Sequence, residues 1–291
     1  MSFPLPFVLL ALAILLVWVP AWRVGDVDVP PWTLAFVAAC VAGAVATPQV
    51  LEPAALAVLA VLAALAWYGT VAPRWRGAVI TLAAVLALAM AVHALPGFHA
   101  PVLFTDLRLT PDAAPFVLAL NFDKGAAGLL LLAAFCARVR SWREFASQGP
   151  AIALTAVATA AVSIGVAVAA GYVRFEPKWD EAAPAFLLGN LFFTCVAEEA
   201  FSRGVIQEGL MRLADRREGR AWSWLAIGVS TLLFGLAHKG GGPVWMAVAT
   251  IAGFGYAVIY ARTRKIEGAI VVHFVVNAAH FLLFTYPRLG R

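Results

Sequence analysis

Residues 195–209 read Cys-Val-Ala-Glu-Glu-Ala-Phe-Ser-Arg-Gly-Val-Ile-Gln-Glu-Gly and follow the apolar run 185–194 with no turn signal between them. Two adjacent carboxylates, Glu198 and Glu199, and a guanidinium, Arg203, therefore lie inside an apolar helix. Each ionisable group near the middle of a bilayer-crossing helix costs about 2.5–3.5 kcal/mol, so such groups face a protein interior and serve function. Glu199 and Arg203 stand at i and i+4 with the acid N-terminal, the favourable order for an ion pair. Glu198 is rotated about 100° around the axis. Its partner is to be sought on a neighbouring helix.

Two later helices carry comparable groups. One ends Phe234-Gly-Leu-Ala-His238, before Lys239 and three glycines; the other reads Gly268-Ala-Ile-Val-Val-His273-Phe-Val-Val-Asn277-Ala-Ala-His280. His273 and Asn277 share a face by the i, i+4 rule, and His280 continues it. Taken singly, each residue has a plain reading: an interfacial histidine, a histidine stitching two helices, an amide bonded to a backbone carbonyl. Jointly they are harder to dismiss, because every polar group left unsatisfied costs about 1–3 kcal/mol. One shared polar pocket for Glu198, Glu199, Arg203, His238, His273 and Asn277 is the economical arrangement.

Such a pocket suits water-dependent hydrolysis of a carbonyl. Glu198 would take a proton from water as general base, and His238 would hold or share that water. His273 and Asn277 would donate to the oxygen that becomes negative. Glu199 and Arg203 would support Glu198. A zinc reading is also open, with Glu198, His238 and His273 as ligands and water in the fourth position. The metal-free scheme is preferred, since Asn277 puts an amide where a second imidazole of a His-Glu-x-x-His type site would stand.

The elements that must position these groups follow from composition. Of 291 residues 63% are apolar and only 13% charged, so the chain is a polytopic, all-α transmembrane bundle. Apolar runs at 5–22, 33–47, 54–71, 77–95, 126–139, 151–172, 185–211, 222–238, 244–261 and 266–286 predict about ten spans. The first is read as a retained span, not a signal peptide, since it lacks a basic n-region and a clear cleavage site. The division expected is a four-span N-terminal region at 1–95, a structured loop at 96–124 and a six-span region at 125–291 carrying the motifs at 198–277. Within the loop, alternation at 102–109 fits either a short hairpin or a segment lying at the membrane interface, and His99 and Asp123 are candidates to touch a substrate, against the favoured reading of a structured cap over the helices. The net charge of +5 comes mainly from arginines beside helix ends and reports topology, not nucleic-acid binding. Arg23, Arg74 and Arg76, Arg138, Arg140 and Arg143, Arg212, Arg216, Arg217 and Arg220, and Arg262, Arg264 and Lys265 mark the side expected to be cytoplasmic, with both termini on the other side. Cys40, Cys136 and Cys195 read as buried small hydrophobes rather than a disulfide or zinc framework.

In order along successive spans, Glu-Glu-x-x-x-Arg at 198–203, Phe-x-x-x-His at 234–238 and His-x-x-x-Asn at 273–277 resemble the three motifs of the CPBP intramembrane proteases. That family includes CAAX prenyl endopeptidases and bacteriocin-processing or immunity (Abi-like) proteins, described both as metalloproteases and as glutamate-dependent. The resemblance covers 185–286. It implies a CPBP-type catalytic core acting as an endopeptidase on a membrane-associated peptide or protein, lipidated in the prenyl endopeptidase branch, with Glu198 and His238 activating water and His273 and Asn277 forming the oxyanion hole. Phe234 joins Glu199 and Arg203 as a supporting residue. It also implies a multi-pass integral membrane protein, here expected in a bacterial inner membrane, with zinc as the cofactor if the metalloprotease reading holds and none otherwise. Two readings from other classes stay open: a non-catalytic scaffold or immunity factor binding a partner through the same pocket, and a proton-coupled transporter, disfavoured because no inverted repeat is apparent.

Overall fold

A computed structural model describes residues 3–46, 49–216 and 221–290. Among these, ten helices follow the ten apolar runs: α1 (Leu5–Leu16), α2 (Pro31–Val45), α3 (Pro53–Val71), α4 (Arg76–Ala91), α5 (Phe122–Phe135), α6 (Trp142–Ala169), α7 (Ala183–Ala214), α8 (Ala221–Ala237), α9 (Pro243–Thr263) and α10 (Ile266–Leu283). Five of them, α3, α6, α7, α9 and α10, are long and apolar enough to cross a membrane. The others are shorter: α1, with 12 residues, covers about 18 Å at 1.5 Å per residue. Proline opens α2, α3 and α9, where its missing N–H would have no intrahelical acceptor in any case. Arg217 and Arg220, counted above for topology, lie outside the described residues.

The residues fall into two compact units. Unit 1 comprises residues 1–103, 119–136 and 191–201. Here α1 packs on α2, and α5 packs on α1, α3, α4 and the 196–199 stretch of α7. Phe7 is fully buried, its ring edge-on to Phe122 at 5.7 Å and Phe193 at 5.5 Å. Between α1 and α2 the chain forms a hairpin that the apolar runs did not reveal, β1 (Trp22–Val24) against β2 (Val27–Val29), turning at Gly25-Asp26. Its strands are too short to show a period. His99 is engaged within the unit, its Nε2 lying 2.7 Å from Glu52 Oε1.

Unit 2 comprises residues 104–118, 137–190 and 202–291. In it α6 packs on α9 and α10, and α9 packs on α8 and α10. The expected hairpin in the long loop is present as β3 (Val102–Leu107) paired with β4 (Phe116–Ala119). Helix α6 begins two turns before the expected span. Ser141 caps it, accepting from Glu144 N at 3.1 Å, while Glu144 accepts from Arg140 N at 2.7 Å. The cap resembles a capping box shifted by one residue, the carboxylate reaching the N–H before the cap residue, and it starts the helix upstream of Pro150, where the expected span at 151–172 had not yet begun. After α10 the tail folds back: Leu289 N donates to Tyr172 O and Gly290 N to Asp112 O. Cys136 and Cys195 are buried as expected, whereas Cys40 is only partly so; all three are free thiols.

Candidate active site

Helix α7 carries the acidic motif, and it is not uniformly α-helical. Residues Asn190–Cys195 and Ala200–Gln207 wind as π-helix on either side of Val196–Glu199. Wide turns of this kind are uncommon and concentrate at functional sites. They widen the helix locally, while residues four apart, such as Glu199 and Arg203, still point to nearly the same side.

In unit 1, Glu198 receives the Lys124 ammonium, Nζ to Oε1 at 2.7 Å, both side chains being largely shielded at 17% and 20% exposure. The partner anticipated on another helix is thus Lys124 of α5, a residue the sequence reading did not single out. Asp123, next to it, faces His93 Nδ1 at 2.7 Å and accepts from Lys124 N at 2.7 Å. It therefore serves as the brace of the α5 start. Glu199 is fully buried.

In unit 2, Arg203 is fully buried. It donates from Nη1 to Ser230 Oγ at 2.6 Å and from Nη2 to Gly253 O at 3.2 Å. Two further α7 side chains reach the same face of α9. Gln207 Nε2 donates to Ala257 O at 2.8 Å, and Glu208 accepts from Tyr260 OH at 2.9 Å. Glu208 also binds Arg212 at 2.8 Å and Arg264 at 3.0 Å. Residues 203, 207 and 208 thus fasten α7 to α9 at residues 253, 257 and 260.

Phe234 is the hub of this unit's polar groups. The Arg203 guanidinium lies 5.1 Å from its ring centroid, a cation–π distance. The His238 ring is 4.7 Å away and the His273 ring 5.8 Å. Tyr256, which sequence reasoning missed because nothing marks it within its apolar helix, stacks on His273 at 4.5 Å. The glycine after Phe234 is required by packing, since a Cβ on Gly235 would run into Thr250 Oγ1.

His238 Nδ1 lies 2.8 Å from Phe234 O. A carbonyl can only accept, so Nδ1 carries the proton and the neutral ring's acceptor is Nε2. Asn277 Nδ2 donates to Asn190 Oδ1 at 3.2 Å. Asn190 was also missed, although a lone amide within the apolar run 185–194 was the available signal. His280, on the same face of α10, is buried among Trp245 at 6.0 Å and Tyr286 at 5.0 Å. Unit 2 thus brings Arg203, Phe234, His238 and His273 together, with Asn277 one turn beyond His273. Glu198 and Glu199 belong to unit 1.

Among the described residues, no three His, Cys, Asp or Glu side chains are grouped so that they could hold a metal ion. The zinc set Glu198, His238 and His273 gains no support from this donor arrangement.

A largely helical membrane protein with buried acid, guanidinium, imidazole and amide groups is the class these elements define. Residues 180–279, about a third of the chain, match the family model described as type II CAAX prenyl endopeptidase Rce1-like, a likeness that supports the CPBP and CAAX-protease resemblance for that segment. No curated protein and no solved structure gave a significant match.

Proposed function

We propose that the chain is an intramembrane endopeptidase that hydrolyses a peptide bond of a membrane-associated protein or peptide. The observation that carries this reading is the family match over residues 180–279, a segment that contains all three polar motifs. Glu198 takes a proton from water as general base, and His238, through Nε2, holds that water. The resulting hydroxide oxygen bonds to the scissile carbonyl carbon, whose oxygen takes the negative charge. His273 and Asn277 donate to that oxygen, with Asn190 orienting the Asn277 amide. Collapse of the intermediate breaks the C–N bond, and the leaving amine recovers the proton held by Glu198. A lipidated substrate is the finer reading, favoured by the prenyl endopeptidase description of the matching family.

The experiment compares peptide ends in membranes of cells carrying the wild-type chain or Glu198→Gln at equal abundance. Ends present only with wild type are expected. Identical sets of ends would end the proteolytic reading and return the non-catalytic scaffold or immunity factor.

We also propose that the five shorter helices complete a ten-span bundle. Leu5, Leu15, Val37 and Leu82 on α1, α2 and α4 are all more than half exposed, and apolar surface of that extent is suited to lipid rather than water. Labelling of single cysteines placed along these helices by a membrane-impermeant thiol reagent tests it, since continuous labelling along α2 or α4 is incompatible with a crossing.

A further inference from the structure

Lys124 is the third residue of α5, and a cation in the first turn of a helix opposes the macrodipole. Helix stability therefore gives no reason for a lysine at this position. Its ammonium instead meets Glu198 at 2.7 Å, in a pair four-fifths removed from solvent, where charge attraction is far stronger than between exposed partners.

The surroundings hold this pair in register through backbone contact. A Cβ on Gly125 would meet Phe193 Cδ1 at 2.7 Å, and one on Gly128 would meet Ala197 Cα at 2.5 Å. The two glycines thus let α5 approach the turn of α7 that immediately precedes Glu198. Asp123 fixes the start of α5 through Lys124 N and His93, each at 2.7 Å. Lysine delivers a point charge to one carboxylate oxygen, Oε1, whereas an arginine fork engages two.

We propose that Lys124 is a positioning residue for Glu198, its ammonium holding the carboxylate in the orientation from which it takes a proton from water. This rests on the reading of Glu198 as the general base. It adds a helix outside the three motifs to the catalytic apparatus, because α5 lies beyond the segment that matches the family model.

The test uses the full chain in four forms: wild type, Glu198→Gln, Lys124→Met and Lys124→Arg. Methionine keeps much of the lysine stem's length and packing while removing the charge. Peptide ends in membranes are compared first, and kinetics follow on a synthetic peptide spanning a site that wild type cuts. Lys124→Met is expected to lower kcat by about tenfold or more with KM within about twofold, the pattern of a lost transition-state contribution. Lys124→Arg, which restores the charge but engages both carboxylate oxygens, is expected to recover part of that loss. Should Lys124→Met fail to accumulate, Lys124→Gln, a donor without charge, is held to the same outcome. Wild-type or higher kcat in the uncharged variant, with Glu198→Gln inactive, overturns the inference and leaves the proteolytic reading standing. A loss confined to KM, or no recovery with arginine, also overturns it. Wild-type peptide ends from Glu198→Gln overturn the reading itself, and the inference with it.

Discussion

Arg203→Met should destabilise the protein strongly, and the amount can be worked from its contacts. The guanidinium is fully buried and donates to Ser230 Oγ at 2.6 Å and Gly253 O at 3.2 Å. Hydrogen bonds from a charged group contribute about 1.5–3 kcal/mol each. The Phe234 ring at 5.1 Å adds a cation–π contribution. Against this stands the cost of keeping a charge out of water, which methionine removes. A net loss of about 3 kcal/mol results, taking the low end of the hydrogen-bond range. At about 2–4 °C per kcal/mol for a chain of this size, the midpoint should fall by about 6–12 °C. Tryptophan fluorescence of the purified protein during a thermal ramp in detergent measures it. Lysine carries the charge but cannot reproduce the two-pronged geometry, so Arg203→Lys should recover less than half of the loss. A midpoint for Arg203→Met within about 2 °C of wild type would refute the argument that this guanidinium fastens α7 to its neighbours.

Asn277→Ala should lower kcat by about 10²–10³ on a cleaved peptide while leaving the thermal midpoint nearly unchanged, as removal of an oxyanion donor does; an unchanged kcat would remove Asn277 from that role. The tail of the chain should loosen in acid. Burial pushes the Glu176 carboxyl upward, but the Thr110 hydroxyl, the Arg174 guanidinium and the Thr285 hydroxyl together outweigh it and hold the group below its ordinary value. A depressed carboxyl contributes stability that is present above its unfolded value and is lost as pH falls through the folded one. The midpoint difference between wild type and Glu176→Gln should therefore be full at neutral pH and shrink below about pH 4; a difference that persists or grows in acid would contradict it.

Helix positions were legible because lipid and packed protein both select apolar side chains, so the ten helices sit under the ten apolar runs. Lengths were less legible. The Ser141 cap, with Glu144 accepting from Arg140 N, starts the helix well before Pro150, a local hydrogen-bond effect that hydropathy does not see. The hairpin at 22–29 escaped because three-residue strands carry no usable period. The polar motifs announced themselves through the cost of placing Glu198, Arg203, His273 and Asn277 inside apolar helices, which is a property of composition and position alone.

By itself, then, the sequence determined that polar groups lie within membrane-type helices, in which order, and which family they resemble. Tertiary structure alone decided their partners: Lys124 for Glu198, Ser230 and Gly253 for Arg203, Tyr256 for His273 and Asn190 for Asn277. The physical reason is that helical periodicity specifies a direction around one axis. Which neighbour stands in that direction depends on how closely two backbones approach, and in α5 and α7 on two glycines and a stretch of π-helix whose effect appears only once the helices are packed.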